Sequence, residues 1–156
     1  MRILLDTNIL VRFSNLDDIH SPLVRSAIAT LLIRGDDVFL VPQCLYEFWS
    51  VTSRPRIGTA NGIGWTIPEV RSELDTLQEH FSLLPDTPDI FDRWLELVTR
   101  SQVSGRPSHD ARLAAAMLVH GLDALLTFNG PDFRRFGVQI VHPADLPVPD
   151  PLSENL

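Results

Sequence analysis

Arg2-Ile3-Leu4-Leu5-Asp6-Thr7-Asn8 opens the chain with three consecutive aliphatic residues, then a carboxylate and two hydrogen-bonding side chains. A run this short and this apolar predicts a strand buried on both faces. It ends at Asp6, so a carboxylate projects from the end of a buried strand.

Working outward, the same kind of run returns four times. Val38-Phe39-Leu40-Val41 is a second buried strand, entered through the turn Gly35-Asp36-Asp37 and ended by Pro42. Pro42 suits the first turn of a helix, which runs to about Ser53. Ser82-Leu83-Leu84, Ala124-Leu125-Leu126-Thr127-Phe128 and Val138-Gln139-Ile140-Val141 supply strands three, four and five.

Helical spacing fills the gaps. About Asp18 to Ile33 places Leu23, Ala27, Leu31 and Leu32 on one side. Ile67 to His80 carries Val70, Leu74 and Leu77, and Asp89 to about Val103 carries Phe91, Trp94, Leu95 and Val98. Gly105-Arg106-Pro107 breaks that helix. Ser108 then serves as N-cap of a helix to about His120, with Gly121 as its C-terminal stop. Residues 54–64 are polar and glycine-bearing, hence a loop. Strands alternating with helices imply an α/β domain with a mostly parallel sheet covered on both faces. In such sheets ligands gather beyond the carboxyl ends of the strands.

Composition narrows the class. The chain has 156 residues, 44% hydrophobic and 21% charged, the profile of one globular domain. The domain spans residues 1–142; residues 143–156 form a proline-rich C-terminal tail. Cys44 is the only cysteine, so no internal disulfide and no zinc-type cysteine spacing exist. Asp6 interrupts the first apolar run before a signal peptide could form, and no run approaches the roughly 20 residues that span a membrane. The expected location is the cytoplasm. A net charge of −7 argues against a broad basic nucleic-acid surface. All 13 basic residues are arginine, which excludes chemistry that requires a lysine.

Four carboxylates then stand out, each with an ordinary structural explanation beside the chemical one. Asp6 could simply cap a helix. Glu47, sharing a helical face with Gln43, Ser50 and Arg54, could lie on a solvated stripe. Asp110 could complement a helix dipole, although Leu113, Ala114 and Met117 put it at the head of a core-facing side. Asp132, beyond Asn129-Gly130-Pro131, could be a turn or cap residue. Jointly they follow strands one, two and four and head the helix before strand four, so all fall at one sheet edge. Converging carboxylates repel unless protonated or bridged by a cation. Hard oxygen donors without Cys or His select Mg²⁺ or Mn²⁺.

These residues resemble the motifs of PIN-domain nucleases. Leu4-Leu5-Asp6-Thr7-Asn8 is similar to their opening motif, Leu45-Tyr46-Glu47-Phe48 to the second, and His109-Asp110-Ala111-Arg112-Leu113-Ala114-Ala115 to the third-acid helix. Leu126-Thr127-Phe128-Asn129-Gly130-Pro131-Asp132-Phe133 is similar to the fourth. The resemblance covers about residues 1–142. Thr52-Ser53-Arg54-Pro55 followed by Asn61-Gly62-Ile63-Gly64 resembles a loop in one branch of the VapC toxins. The resemblance implies a three-layer sandwich with sheet order 3-2-1-4-5 and metal-dependent endoribonuclease activity. It also implies a homodimer and an antitoxin partner. Catalytic metal ligands would be Asp6, Glu47, Asp110 and Asp132, supported from behind by Thr7, Asn8, Thr127 and Asn129. Arg112 and Arg134 are expected on the RNA. The alternative is a catalytically inactive PIN-like module that binds RNA or protein. Receiver domains and haloacid-dehalogenase-type phosphatases also place acids at this edge. Both normally use a lysine, and the second wants an Asp where Asn8 stands.

Overall fold

In the computed structural model, residues 1–57 and 62–148 are described. Ile3, Leu4 and Leu5 are fully buried and make β1 (Arg2–Leu5) the centre of a five-stranded sheet. Its neighbours are β2 (Asp37–Leu40) and β4 (Ala124–Leu126); β3 (Ser82–Leu83) and β5 (Gln139–Val141) form the edges. The order is β3-β2-β1-β4-β5 and every pairing is parallel. Register pairs Ile3 with Val38 on one side and with Ala124 on the other. Parallel pairing needs long crossovers, and helices supply them: α1 (Thr7–Ser14), α2 (Ser21–Ile33), α3 (Pro42–Ser53), α4 (Ile67–His80), α5 (Pro88–Arg100), α6 (Pro107–His120) and the short α7 (Gly130–Phe133).

Local chemistry fixes the helix ends. Thr66 and Glu69 form a reciprocal capping box at the start of α4. Gly121, at φ 61°, ends α6 in the left-handed conformation that glycine adopts without strain. The core gathers the inner strands with Ile9 and Leu10 of α1, Val24 and Leu31 of α2, Phe48 of α3 and the alanine-rich face of α6.

Several local expectations shift. Helix α1 is absent from the sequence reading, because its eight residues are too few to display a helical period convincingly. The next helix begins at Ser21; Asp18 instead takes the His20 amide through its carboxylate in a turn. Its buried face is Val24, Ala27, Ile28 and Leu31, while Leu32 is 52% exposed. Ser108 is not a cap: Pro107 already occupies the first turn of α6, with no side-chain cap bond before it. Beyond β4, α7 and a 3-10 turn (Arg134–Phe136) carry the chain to β5. Of the expected tail, Pro143–Asp145 is a 3-10 turn, and the Pro147 carbonyl accepts from the Thr30 hydroxyl at 2.7 Å. Residues 149–156, and Asn61 of the quoted loop motif, lie outside the described residues.

Candidate active site

The strand order reverses about β1, and the crevice at such a reversal is where parallel α/β sheets bind ligands. Asp6 sits there. Its amide donates to the Leu126 carbonyl at 3.1 Å, extending the β1–β4 ladder by one residue. Its carboxylate is the N-cap of α1 and takes three hydrogen bonds: the Thr7 amide on Oδ1 at 2.7 Å, and Asn8 Nδ2 and the Thr127 hydroxyl on Oδ2, both at 2.6 Å. Thr127 is itself fully buried and accepts from the Asn129 amide at 3.0 Å. Asn8 Oδ1 accepts from the Phe128 amide at 3.2 Å. These bonds tie the ends of β1 and β4 together and fix both oxygens of Asp6.

Glu47 arrives from α3. The Thr7 hydroxyl donates to its Oε2 at 2.8 Å and Gln43 Nε2 to its Oε1 at 2.9 Å. The same Gln43 nitrogen reaches the His109 carbonyl at 2.9 Å, and Gln43 Oε1 accepts from Arg112 Nη1 at 2.9 Å. Arg112 Nη2 in turn meets Asp86 at 2.9 Å. Asp110, in the first turn of α6, is half-buried. Asp6, Glu47 and Asp110 line one open cleft of about 600 Å³.

Burial raises the Asp6 carboxyl to about 6; the bonds from Thr127 and Thr7 oppose this, and the charges of Glu47 and Asp110 add to it. Asp110 is raised as well, first by burial and then by Asp132 and Glu47, against Arg106 and His109. Cys44, fully buried with its thiol on the Leu5 carbonyl at 3.3 Å, is pushed well up by burial and is unsuited to nucleophilic work.

A family model for the PIN domain matches residues 3–139, nearly the whole of this arrangement. The chain belongs to the PIN domain family. Solved structures share its fold. VapBC2 from Rickettsia felis, bound to a DNA fragment from its promoter, superposes with a TM-score of 0.67 at 18% identity, covering 91% of this chain and 98% of the other. FitAcB from Neisseria gonorrhoeae gives 0.66 at 18%, covering 92% and 99%. VapC20 from Mycobacterium tuberculosis, a Sarcin-Ricin loop cleaving toxin, gives 0.59 at 15%, covering 85% and 93%. No curated protein matches the chain significantly.

Within this PIN domain the other residues singled out from sequence divide. Thr7, Asn8 and Asn129 line the cleft with the three acids. Thr127 lies buried behind Asp6. Asp132, in α7, is exposed and outside the cleft lining, yet close enough for its charge to raise Asp110. Arg112 and Arg134 are not in the lining either; the arginines that are, Arg12, Arg54 and Arg106, come from three other segments. Sequence reading placed Gln43 on the face of Glu47 but not as its holder, although the four-residue spacing of one helix is the signal for such a pair. Among the described residues, no three acidic, His or Cys side chains are gathered tightly enough, as they stand, to hold a metal ion. The donor chemistry nonetheless fits a hard cation. Carboxylates from three elements line one cleft, and burial, with their mutual charge added, already lifts Asp6 and Asp110.

Proposed function

We propose that this PIN domain is a cytoplasmic endoribonuclease dependent on Mg²⁺ or Mn²⁺. Asp6, Glu47 and Asp110 would be its ligands, with Asp132 at the margin. The observation that carries the reading is the convergence of three carboxylates, from β1, α3 and α6, on one cleft at the strand-order reversal. Bound Mg²⁺ or Mn²⁺ supplies an acidified water and neutralises charge on a phosphodiester undergoing hydrolysis. The chain's own residues do the placing. Thr127, Asn8 and the Thr7 amide orient Asp6, and Thr7 and Gln43 orient Glu47. Asn129 borders the space the substrate must enter.

The fold shared with VapBC and FitAB proteins supports a toxin whose activity an antitoxin holds in check; a homodimer is the assembly that the motif resemblance implies. Cleavage of cellular RNA should require added Mg²⁺ or Mn²⁺ and disappear in folded Asp6→Asn. Expression of the chain alone should arrest growth, and the neighbouring gene should relieve the arrest.

A second reading, an inactive module that binds RNA or protein, draws on the spacing of the acids, which are not closed around a common point. A metal titration separates the two: a module would bind RNA without ever cutting it.

A further inference from the structure

The negatively charged floor of the cleft has to admit a polyanion, and one edge of it is built in a way the carboxylates do not require. The Arg12 guanidinium lies over the Phe128 ring, 4.6 Å from its centroid. His20 and His142 meet the same ring edge-on, at 5.4 and 5.1 Å. Arg12 lines the cleft and gives only one hydrogen bond, from Nη1 to the Asn8 carbonyl at 2.9 Å, while its Nε is buried with no hydrogen-bond partner. Asp18 forms a long ion pair with that Nε, 3.8 Å away and beyond hydrogen-bond length. Asn8 also holds both Asp6 and the Phe128 amide, so this assembly is in fixed register with the first carboxylate. The Ala144 amide donates to His142 Nδ1 at 3.1 Å, which leaves the ring's other nitrogen to carry the proton as a donor.

We propose that Arg12, braced on the Phe128 ring that His20 and His142 pack edge-on, is a subsite for a phosphodiester of the RNA strand next to the bond that is cut. A guanidinium held flat by an aromatic ring keeps its fork pre-formed for phosphate oxygens. Nη1 gives one hydrogen bond and Nη2 none, and a phosphate on these terminal nitrogens is the ligand that a cation lining a cleft of carboxylates explains. The role of Phe128 is to fix the guanidinium, and that of the histidines is to hold the Phe128 ring in place. This inference rests on the RNA-cleaving reading, and concerns binding rather than the chemical step.

The test uses the full chain in chelator, where nothing is cut, and a fluorescent single-stranded RNA oligonucleotide titrated at several salt concentrations. Arg12→Gln should weaken binding about tenfold and lower the steepness of the log-log salt dependence by about 0.7, the loss of one phosphate contact. Phe128→Leu should weaken binding less, and His20→Ala, at an exposed position with little bearing on folding, should weaken it measurably. Arg34→Gln, beside the amino end of β2 and so at the sheet edge opposite the cleft, should change neither quantity. Parental affinity and slope in folded Arg12→Gln and His20→Ala would overturn the subsite while leaving the nuclease reading standing. A parent chain with no salt-dependent affinity for RNA would overturn both.

Discussion

The Thr7 hydroxyl donates to Glu47 Oε2 at 2.8 Å while the Thr7 amide donates to Asp6 Oδ1 at 2.7 Å. One residue at the start of α1 therefore sets the spacing between two carboxylates that come from different elements. Replacing the hydroxyl by a methyl keeps the shape and removes one bond to a charged group, a change of about 1.5–3 kcal/mol if the geometry is otherwise kept. Thr7→Val should lower kcat about tenfold or more and leave KM nearly unchanged. Thr7→Ser should recover most of the rate. Steady-state kinetics on a short RNA would decide, and a parental kcat in Thr7→Val would remove the bond from the argument.

Arg112 is bonded so that it can act through others. It joins Asp86 to Gln43, and Gln43 holds Glu47, so its effect on cleavage should pass along that chain of bonds. Sequence position beside Asp110 had suggested an RNA contact. Arg112→Gln should lower kcat severalfold while RNA affinity in chelator, and its salt dependence, stay at parental values. Asp86→Asn should give a weaker version of the same defect. A salt dependence flattened by about 0.7 would return Arg112 to the RNA.

Asp6 makes stability depend on pH in a direction opposite to that of an ion-paired carboxylate. Its carboxyl rises from an ordinary 3.8 to about 6 in the folded chain, so the folded state holds the proton more tightly than the unfolded state. Below the ordinary value both states are protonated and nothing is lost. As pH rises from about 4 through 6 the metal-free fold is progressively destabilised, by about 3 kcal/mol at the plateau. Asp110, shifted the same way, adds to the trend. Asp6→Asn removes the larger contribution, although it disturbs the bonds from Thr127 and Asn8. The melting temperature of the parent minus that of Asp6→Asn, measured in chelator, should therefore fall between pH 4 and pH 7. A difference that stays constant across that range would show that Asp6 titrates normally.

The sheet was legible because parallel strands buried on both faces leave continuous apolar runs, and Ile3-Leu4-Leu5 is such a run. Asp110 was legible because Leu113, Ala114 and Met117 mark the buried side of α6. Short elements were not. The eight residues of α1 and the four of α7 give too little periodicity, and their ends are set by tertiary bonds such as that between Asn8 and Phe128. The arginines were assigned by nearness in sequence, which does not report where a long side chain ends. Arg112 lies two residues from Asp110 yet turns to Asp86, whereas Arg12 lies six from Asp6 and lines the cleft.

Metal linkage tests the place of Asp132 in the proposed ligand set. It is exposed and outside the cleft lining, yet it is the charge that most raises Asp110 after burial itself. A ligand should lose metal-dependent stabilisation when its charge is removed; a neighbour that only shapes the potential should lose a part. At an ion concentration a hundred times the Kd, binding stabilises the fold by about 2.7 kcal/mol, roughly 5–10 °C in Tm for a chain of this size. Mn²⁺ should raise the parent's Tm by an amount of that order. Asp110→Asn should abolish most of the shift, and Asp132→Asn should keep at least half of it. Asp110→Asn should also match or exceed the parent's Tm in chelator, because a charge crowded by Asp132 and Glu47 is gone. Equal Mn²⁺ shifts in the parent and Asp110→Asn would exclude Asp110 as a ligand. Complete loss of the shift in Asp132→Asn would instead bring α7 into the metal's coordination.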